Sequence, residues 1–116
     1  GPAPLLTVMN DDSLSEQIQR ALPDARIVKA LNTVGFSVMT RPAEIAEGNH
    51  ILPICGNNSG AKKTVRSVLA ELGWTESQLI DLGDLSNARG MEAYMLYWFR
   101  LMHALGTADF NIAIQR

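Results

Sequence analysis

His50-Ile51-Leu52-Pro53-Ile54-Cys55, then Gly56-Asn57-Asn58-Ser59-Gly60, then Ala61 to Leu72 is the stretch that decides the architecture. The first six residues are apolar almost throughout, the pattern of a strand covered on both faces, while Pro53 removes one ladder donor and predicts a position near a sheet edge or bulge. The next five are turn chemistry. Beyond them Ala61, Val65, Val68, Leu69 and Leu72 fall on one helical face, and Gly73 supplies a left-handed C-cap. Gln78-Leu79-Ile80-Asp81-Leu82 reads as the next strand, ended by Gly83.

Toward the N-terminus, Ser13-Leu14-Ser15-Glu16 has the spacing of a capping box, and Leu14, Ile18 and Leu22 recur every four residues. A helix from Ser13 to Leu22 follows, stopped by Pro23. Arg26-Ile27-Val28-Lys29-Ala30-Leu31 is a β-branched run that reads as the first strand. Asn32 to Gly48 reads as a loop with short helices: Phe36, Val38 and Met39 suit a helical turn, and Arg41-Pro42 breaks it. Toward the C-terminus, Ser86 or Asn87 caps a long helix that runs to Leu105 and is closed by Gly106. Phe110 to Ile114 alternates like a final strand with one face buried. Helices thus alternate with strands in the order α-β-β-α-β-α-β, which predicts an α/β sandwich.

At 116 residues the chain makes one domain, and 47% hydrophobic with 19% charged residues is the balance of a folded globular protein. Ten basic against twelve acidic residues, with no basic run longer than Lys62-Lys63, indicate neither nucleic acid nor an anionic membrane surface as partner. The single cysteine, Cys55, excludes an internal disulfide and a multi-cysteine metal site, and suits a reducing cytoplasm. No apolar run approaches a membrane span, and no basic segment precedes an apolar one as in a signal peptide. Gly1-Pro2 reads as a protease-cleavage scar.

Two segments are candidate cofactor contacts. Asn32-Thr33-Val34-Gly35 leaves the C-terminal end of the first strand, where open α/β sheets bind ligands; the plainer reading is a turn capped by local hydrogen bonds. Ser86, Asn87 and Arg89 place a cap and a cation at a helix start, which is equally what an ordinary N-cap requires. Cys55 reads as a buried, inert thiol, and His50 and His103 lack the spaced partners of a metal site, so no catalytic or metal-ligating residue is assigned. In the long helix Met91, Met95, Trp98, Met102 and Leu105 form one apolar stripe, and Tyr94, Tyr97 and Leu101 a second. A helix apolar on two sides predicts a homodimer joined through Ala88–Leu105, or else a purely intramolecular core.

Four ordered blocks, Ala25 to Thr33, Ile54 to Asn58, Leu82 to Arg89 and Ala108 to Ala113, resemble the C-terminal half of the NADP oxidoreductases that depend on the deazaflavin coenzyme F-420. The cytosolic domains of the six-transmembrane metalloreductases are similar as well. The resemblance implies a partial Rossmann-like fold and hydride transfer between NADP and a deazaflavin or flavin-like acceptor. It also implies that Asn32 to Gly35 lie near the reacting rings. The glycine-rich βαβ unit of such enzymes is missing, Gly56-x-x-x-Gly60 having the wrong spacing, so NADP binding by this chain alone is expected to be weak or absent. On the resemblance the chain starts halfway through an enzyme, as a fragment, a shortened relative or half of a split protein. The alternative is an interaction or dimerisation module that has lost nucleotide binding.

Overall fold

A computed structural model describes residues 4–116, so Gly1 and Pro2 lie outside the described residues. Its elements are α1 (Leu14–Ala21), β1 (Val28–Lys29), α2 (Phe36–Thr40), β2 (Leu52–Gly56), α3 (Ser59–Glu71), β3 (Leu79–Asp81), α4 (Ala88–Ala93) and α5 (Met95–Leu105), with short 3-10 turns between them. The sheet runs β1-β2-β3, with β1 antiparallel to β2 and β2 parallel to β3. The fold is mixed α/β, and β2-α3-β3 is the parallel unit at its centre.

Strand β2 is buried on both faces, as its apolar run requires. Leu52 and Ile54 face a core of Val34, Val38, Leu69 and Trp74, while Cys55 faces Leu85, Ala88 and Met91. Alternation along one strand therefore feeds two apolar clusters. Pro53 does not mark an edge, because β2 is the central strand. The proline is tolerated there because β1 pairs only with Cys55 and Gly56, leaving one flank of Pro53 without a ladder to break. Strand β1 is two residues long rather than six, since Leu31 takes a positive φ of 64° and turns the chain away.

Capping chemistry sets the helix boundaries. Ser13 Oγ accepts from the Glu16 N–H at 3.1 Å and donates to the Glu16 carboxylate at 2.7 Å, and Asn58 caps α3 through Ala61 N–H. At the long helix the cap is Asp84, whose carboxylate accepts from Ser86 N–H; neither Ser86 nor Asn87 caps it with a side chain. An aspartate two residues earlier satisfies the first free donor, so the serine is not needed for that task. The predicted long helix is divided at Tyr94 into α4 and α5, and Gly106, with φ 71°, ends it by donating to Met102 O.

The segment Phe110 to Ile114 is not a strand. One backbone bond, Ile51 N–H to Ile112 O, ties it down, and Asn111 Nδ2 donates to His50 Nδ1 and Ile51 O. The side chain of Asn111 takes the place of the ladder that its alternating pattern predicts.

Helix α1 departs furthest from its pattern. Leu14, Ile18 and Leu22 are 51%, 40% and 57% exposed, whereas Ser13 and Ser15 are buried. Its polar face packs inward, against Glu92 and Arg89 of α4. The apolar spacing fixed a helix without fixing which side meets the protein.

Two glycines separate packing from backbone freedom. A Cβ on Gly56 would stand 2.9 Å from Ile27 O of the facing chain, while one on Gly90, within α4, meets nothing within 4 Å. Gly56→Ala is expected to destabilise the fold by about 1–3 kcal/mol through overpacking. Gly90→Ala should stabilise it by about 0.5–1 kcal/mol through helix propensity. Chemical denaturation of both variants measures the opposite signs.

Candidate functional site

The turn Asn32-Thr33-Val34-Gly35 is held from three sides. Asn32 Nδ2 donates to Met91 O at 2.8 Å, fixing it to α4. Val34 is buried in the core with Val38 and Leu52. Gly35 starts α2 and admits the tail so closely that a Cβ would lie 2.9 Å from Ala108 O. Thr33 is only 4% exposed, yet its Oγ1 has no hydrogen-bond partner, and neither has Asn32 Oδ1. A buried polar atom left unpaired costs about 1–3 kcal/mol, which makes these two atoms stand out within the turn.

Asn32 also lines a groove of about 460 Å³ whose walls include Leu6, Val8, Leu14 and Met95, with Lys29 and Glu92 beside it. Lys29 Nζ stands 3.4 Å from the Glu92 carboxylate. The same carboxylate accepts from Leu14 N–H at 2.6 Å, Ser15 N–H at 3.1 Å and Ser15 Oγ at 3.0 Å. Burial pushes the Glu92 carboxyl up, but these donors and Lys29 outweigh it and leave it below the usual glutamate range. An apolar groove with a few oriented polar groups suits a flat heterocycle better than a phosphate.

Ser86, Asn87 and Arg89 stand apart from that groove. Ser86 donates through N–H and Oγ to Asp84, and Asn87 Nδ2 donates to Asp84 O. Ser86 borders a separate depression of about 310 Å³ with Arg20 and Asn57. Arg89 forks onto Glu16 at 2.9 Å through both Nε and Nη2, a bidentate pair that holds the Glu16 carboxyl below its ordinary range. Their present partners are all structural.

The remaining sequence candidates are engaged in packing. Burial pushes the Cys55 thiol up to about 11 against the opposing influence of Lys62 and Lys29, so it stays protonated at neutral pH. His50 is buried, with Nε2 on Pro42 O, Nδ1 on Asn111 and its ring edge against Trp74. Among the described residues no helix is long and apolar enough to cross a membrane.

Sequence reasoning missed Glu92, although it is the only acidic residue between Arg89 and Arg100 in an otherwise apolar helix. A lone carboxylate there needs a partner, and the N-terminus of α1 is that partner.

The sheet is small and mixed, and the groove lies where the chain leaves β1. Along its whole length the chain is 46% identical, with a TM-score of 0.93, to a solved structure from Arthrobacter sp. FB24 provisionally described as an F420-dependent NADP reductase, of which it covers 51%. It is also 33% identical over 84 residues to the metalloreductase STEAP3 of Rattus norvegicus, an alignment covering 72% of this chain and 16% of that protein. No protein-family model matches. The resemblance carried by the four sequence blocks is thereby shown. The chain is similar to an NADP-dependent reductase over about half that protein's length, and to part of a metalloreductase.

The lowered carboxyl of Glu92 carries a pH signature. A depressed folded value contributes stability that is present above the unfolded glutamate range and lost as pH falls through the folded one. Glu92→Gln should therefore lower the melting temperature at pH 7 and make it fall less steeply between about pH 5 and 3. Thermal melts across that range, read beside the parent chain, measure the difference in slope.

Proposed function

We propose that this chain is a portion of an NADP-dependent oxidoreductase that transfers a hydride between NADP(H) and a deazaflavin (coenzyme F-420) or flavin-like acceptor. In this reading the Asn32–Gly35 turn lies against the reacting ring. The observation that carries it is the apolar groove lined by Asn32 at the end of β1, in a turn where Asn32 Oδ1 and Thr33 Oγ1 have no partner among the described residues. The residues fit a flat, polar-edged group. When bound, such cofactors supply the hydride-carrying carbons themselves. This chain's part is to orient the ring through Asn32 and Thr33 and to exclude water with Leu6, Leu14 and Met95. Ser86, Asn87 and Arg89, engaged with Asp84 and Glu16, stand apart from this groove; in this reading they contact another part of the cofactor, at the second depression that Ser86 lines.

The outward apolar face of α1 favours the same reading, since the remainder of a reductase twice this length would cover it. A second copy joins through Ala88–Leu105, where Tyr97 and Leu105 stand exposed while Met91 and Trp98 fill the core. NADP binding by this chain alone is weak, because no glycine-rich phosphate loop is present in its sequence.

Calorimetry with NADPH and with a 5-deazaflavin, on a sample whose mass is measured in parallel, tests the assignment. Deazaflavin binding that is lost in Thr33→Ala is the expected result. A stable dimer that binds neither compound at millimolar concentration overturns it and makes the chain an interaction module.

A further inference from the structure

Lys29 and Glu92 are the two charged side chains that line the groove at the end of β1. Strand register explains why they meet. Lys29 is the partner of Cys55 across β1 and β2, so the two side chains leave the same face of the sheet, and Cys55 packs there against Ala88 and Met91 of α4. Glu92 follows Met91 on that helix, and its carboxylate stands 3.4 Å from Lys29 Nζ. Both side chains are largely withdrawn from water, at 21% and 13% exposed.

The two are not equally occupied. Glu92 accepts from Leu14 N–H, Ser15 N–H and Ser15 Oγ, so both of its oxygens are engaged by the start of α1. Among the described residues the Glu92 carboxylate is the single ionic partner of Lys29, at a distance longer than an ordinary charge-assisted hydrogen bond. Three ammonium donors thus share one acceptor that is already crowded. The charge balance has the same sign, because the N-terminus of α1 adds about half a positive charge to that of Lys29, against the one negative charge of Glu92. An occupant of the groove meets a donor-rich, net-positive corner, and an electron-rich or negative edge is what answers it.

We infer that Lys29 is a specificity-determining residue of the groove: its ammonium holds the pyrimidinedione edge of a deazaflavin or flavin ring and favours the reduced, anionic form, with Glu92 as the residue that positions it. The assignment rests on the functional reading above and gives this groove to the acceptor ring rather than to the nicotinamide. Charge decides between the two rings. Hydride transfer from NADPH breaks the nicotinamide C4–H bond, forms a bond to hydrogen on the acceptor, leaves the nicotinamide as a cation and places one negative charge on the pyrimidinedione edge. Lys29 repels the cation and stabilises the anion, and the step needs no proton from it.

The test is binding of 5-deazariboflavin, oxidised and reduced, to the whole chain in mildly alkaline buffer where the reduced ring is an anion, followed by quenching of tryptophan fluorescence. The parent chain should bind the reduced ring about tenfold more tightly than the oxidised one, the worth of one hydrogen bond to a charged group. Lys29→Met, which keeps the unbranched stem, should bring the two affinities within about twofold of each other, and Lys29→Arg, which keeps the charge, should retain the preference. The absorbance of the bound reduced ring gives a reading that needs no variant: the ring should lose its proton at a lower pH on the chain than in free solution. Equal affinities for the two forms in the parent chain, a bound ring that ionises at the same pH as the free one, or a preference that survives in folded Lys29→Met overturns this inference and leaves the broader assignment standing. Absence of binding of either form to the parent chain overturns both.

Discussion

The Glu92 carboxylate is the contact on which the arrangement of the other parts depends. From α4 it accepts the first free N–H groups of α1, at Leu14 and Ser15, and stands beside Lys29 of β1. A negative charge at a helix N-terminus satisfies donors that have no partner within the helix and meets the positive end of its dipole. Three elements distant in sequence are joined at one side chain, and the fork of Arg89 onto Glu16 locks the same pair of helices a turn further on. Because that clamp is polar, α1 shows its polar side to the protein and its leucines to the outside.

The groove follows from the clamp. With α1 held against α4, Leu14, Lys29, Glu92, Asn32 and Met95 become neighbours around one opening. The turn that brings Asn32 to it is fixed by independent means: Val34 in the core, Gly35 against the tail, Asn32 on the helix. Within it Asn32 Oδ1 and Thr33 Oγ1 have no partner among the described residues. In the proposed function this turn would orient a ring, and hydride transfer between two cofactors asks little more of a protein than orientation and dryness.

Much of this was legible in the sequence. The apolar run of β2, the turn after it, the helix α3 and the caps at Ser13, Gly73 and Gly106 are local signals, and local interactions produced them, although Val68 of the stripe predicted for α3 is exposed while Leu69 is buried. The misread features turn on partners far along the chain. Pro53 sits in a central strand because β1 is too short to reach it, which no window around Pro53 reveals. The tail alternates like a strand, but Asn111 finds His50, sixty-one positions away, and anchors the tail by a side chain. Asp84 outcompetes Ser86 for the cap because its carboxylate accepts from Ser86 N–H. The spacing of Leu14, Ile18 and Leu22 carries helical period without direction; the direction came from Glu92, seventy-eight positions from Leu14. For the candidate site, the turn Asn32 to Gly35 was legible from the strand it ends, whereas the presence of Glu92 and Met95 beside Asn32 depends on tertiary contacts.

The most direct measurement is the thermal unfolding midpoint of the triple variant Leu14→Gln, Ile18→Gln, Leu22→Gln in this chain. If α1 is held by its polar face, the variant melts within about 2–4 °C of the parent, as surface substitutions do. A loss of about 2–5 kcal/mol per replaced side chain, the cost of emptying a core, would contradict the account by showing that the apolar face of α1 is what binds it to the fold.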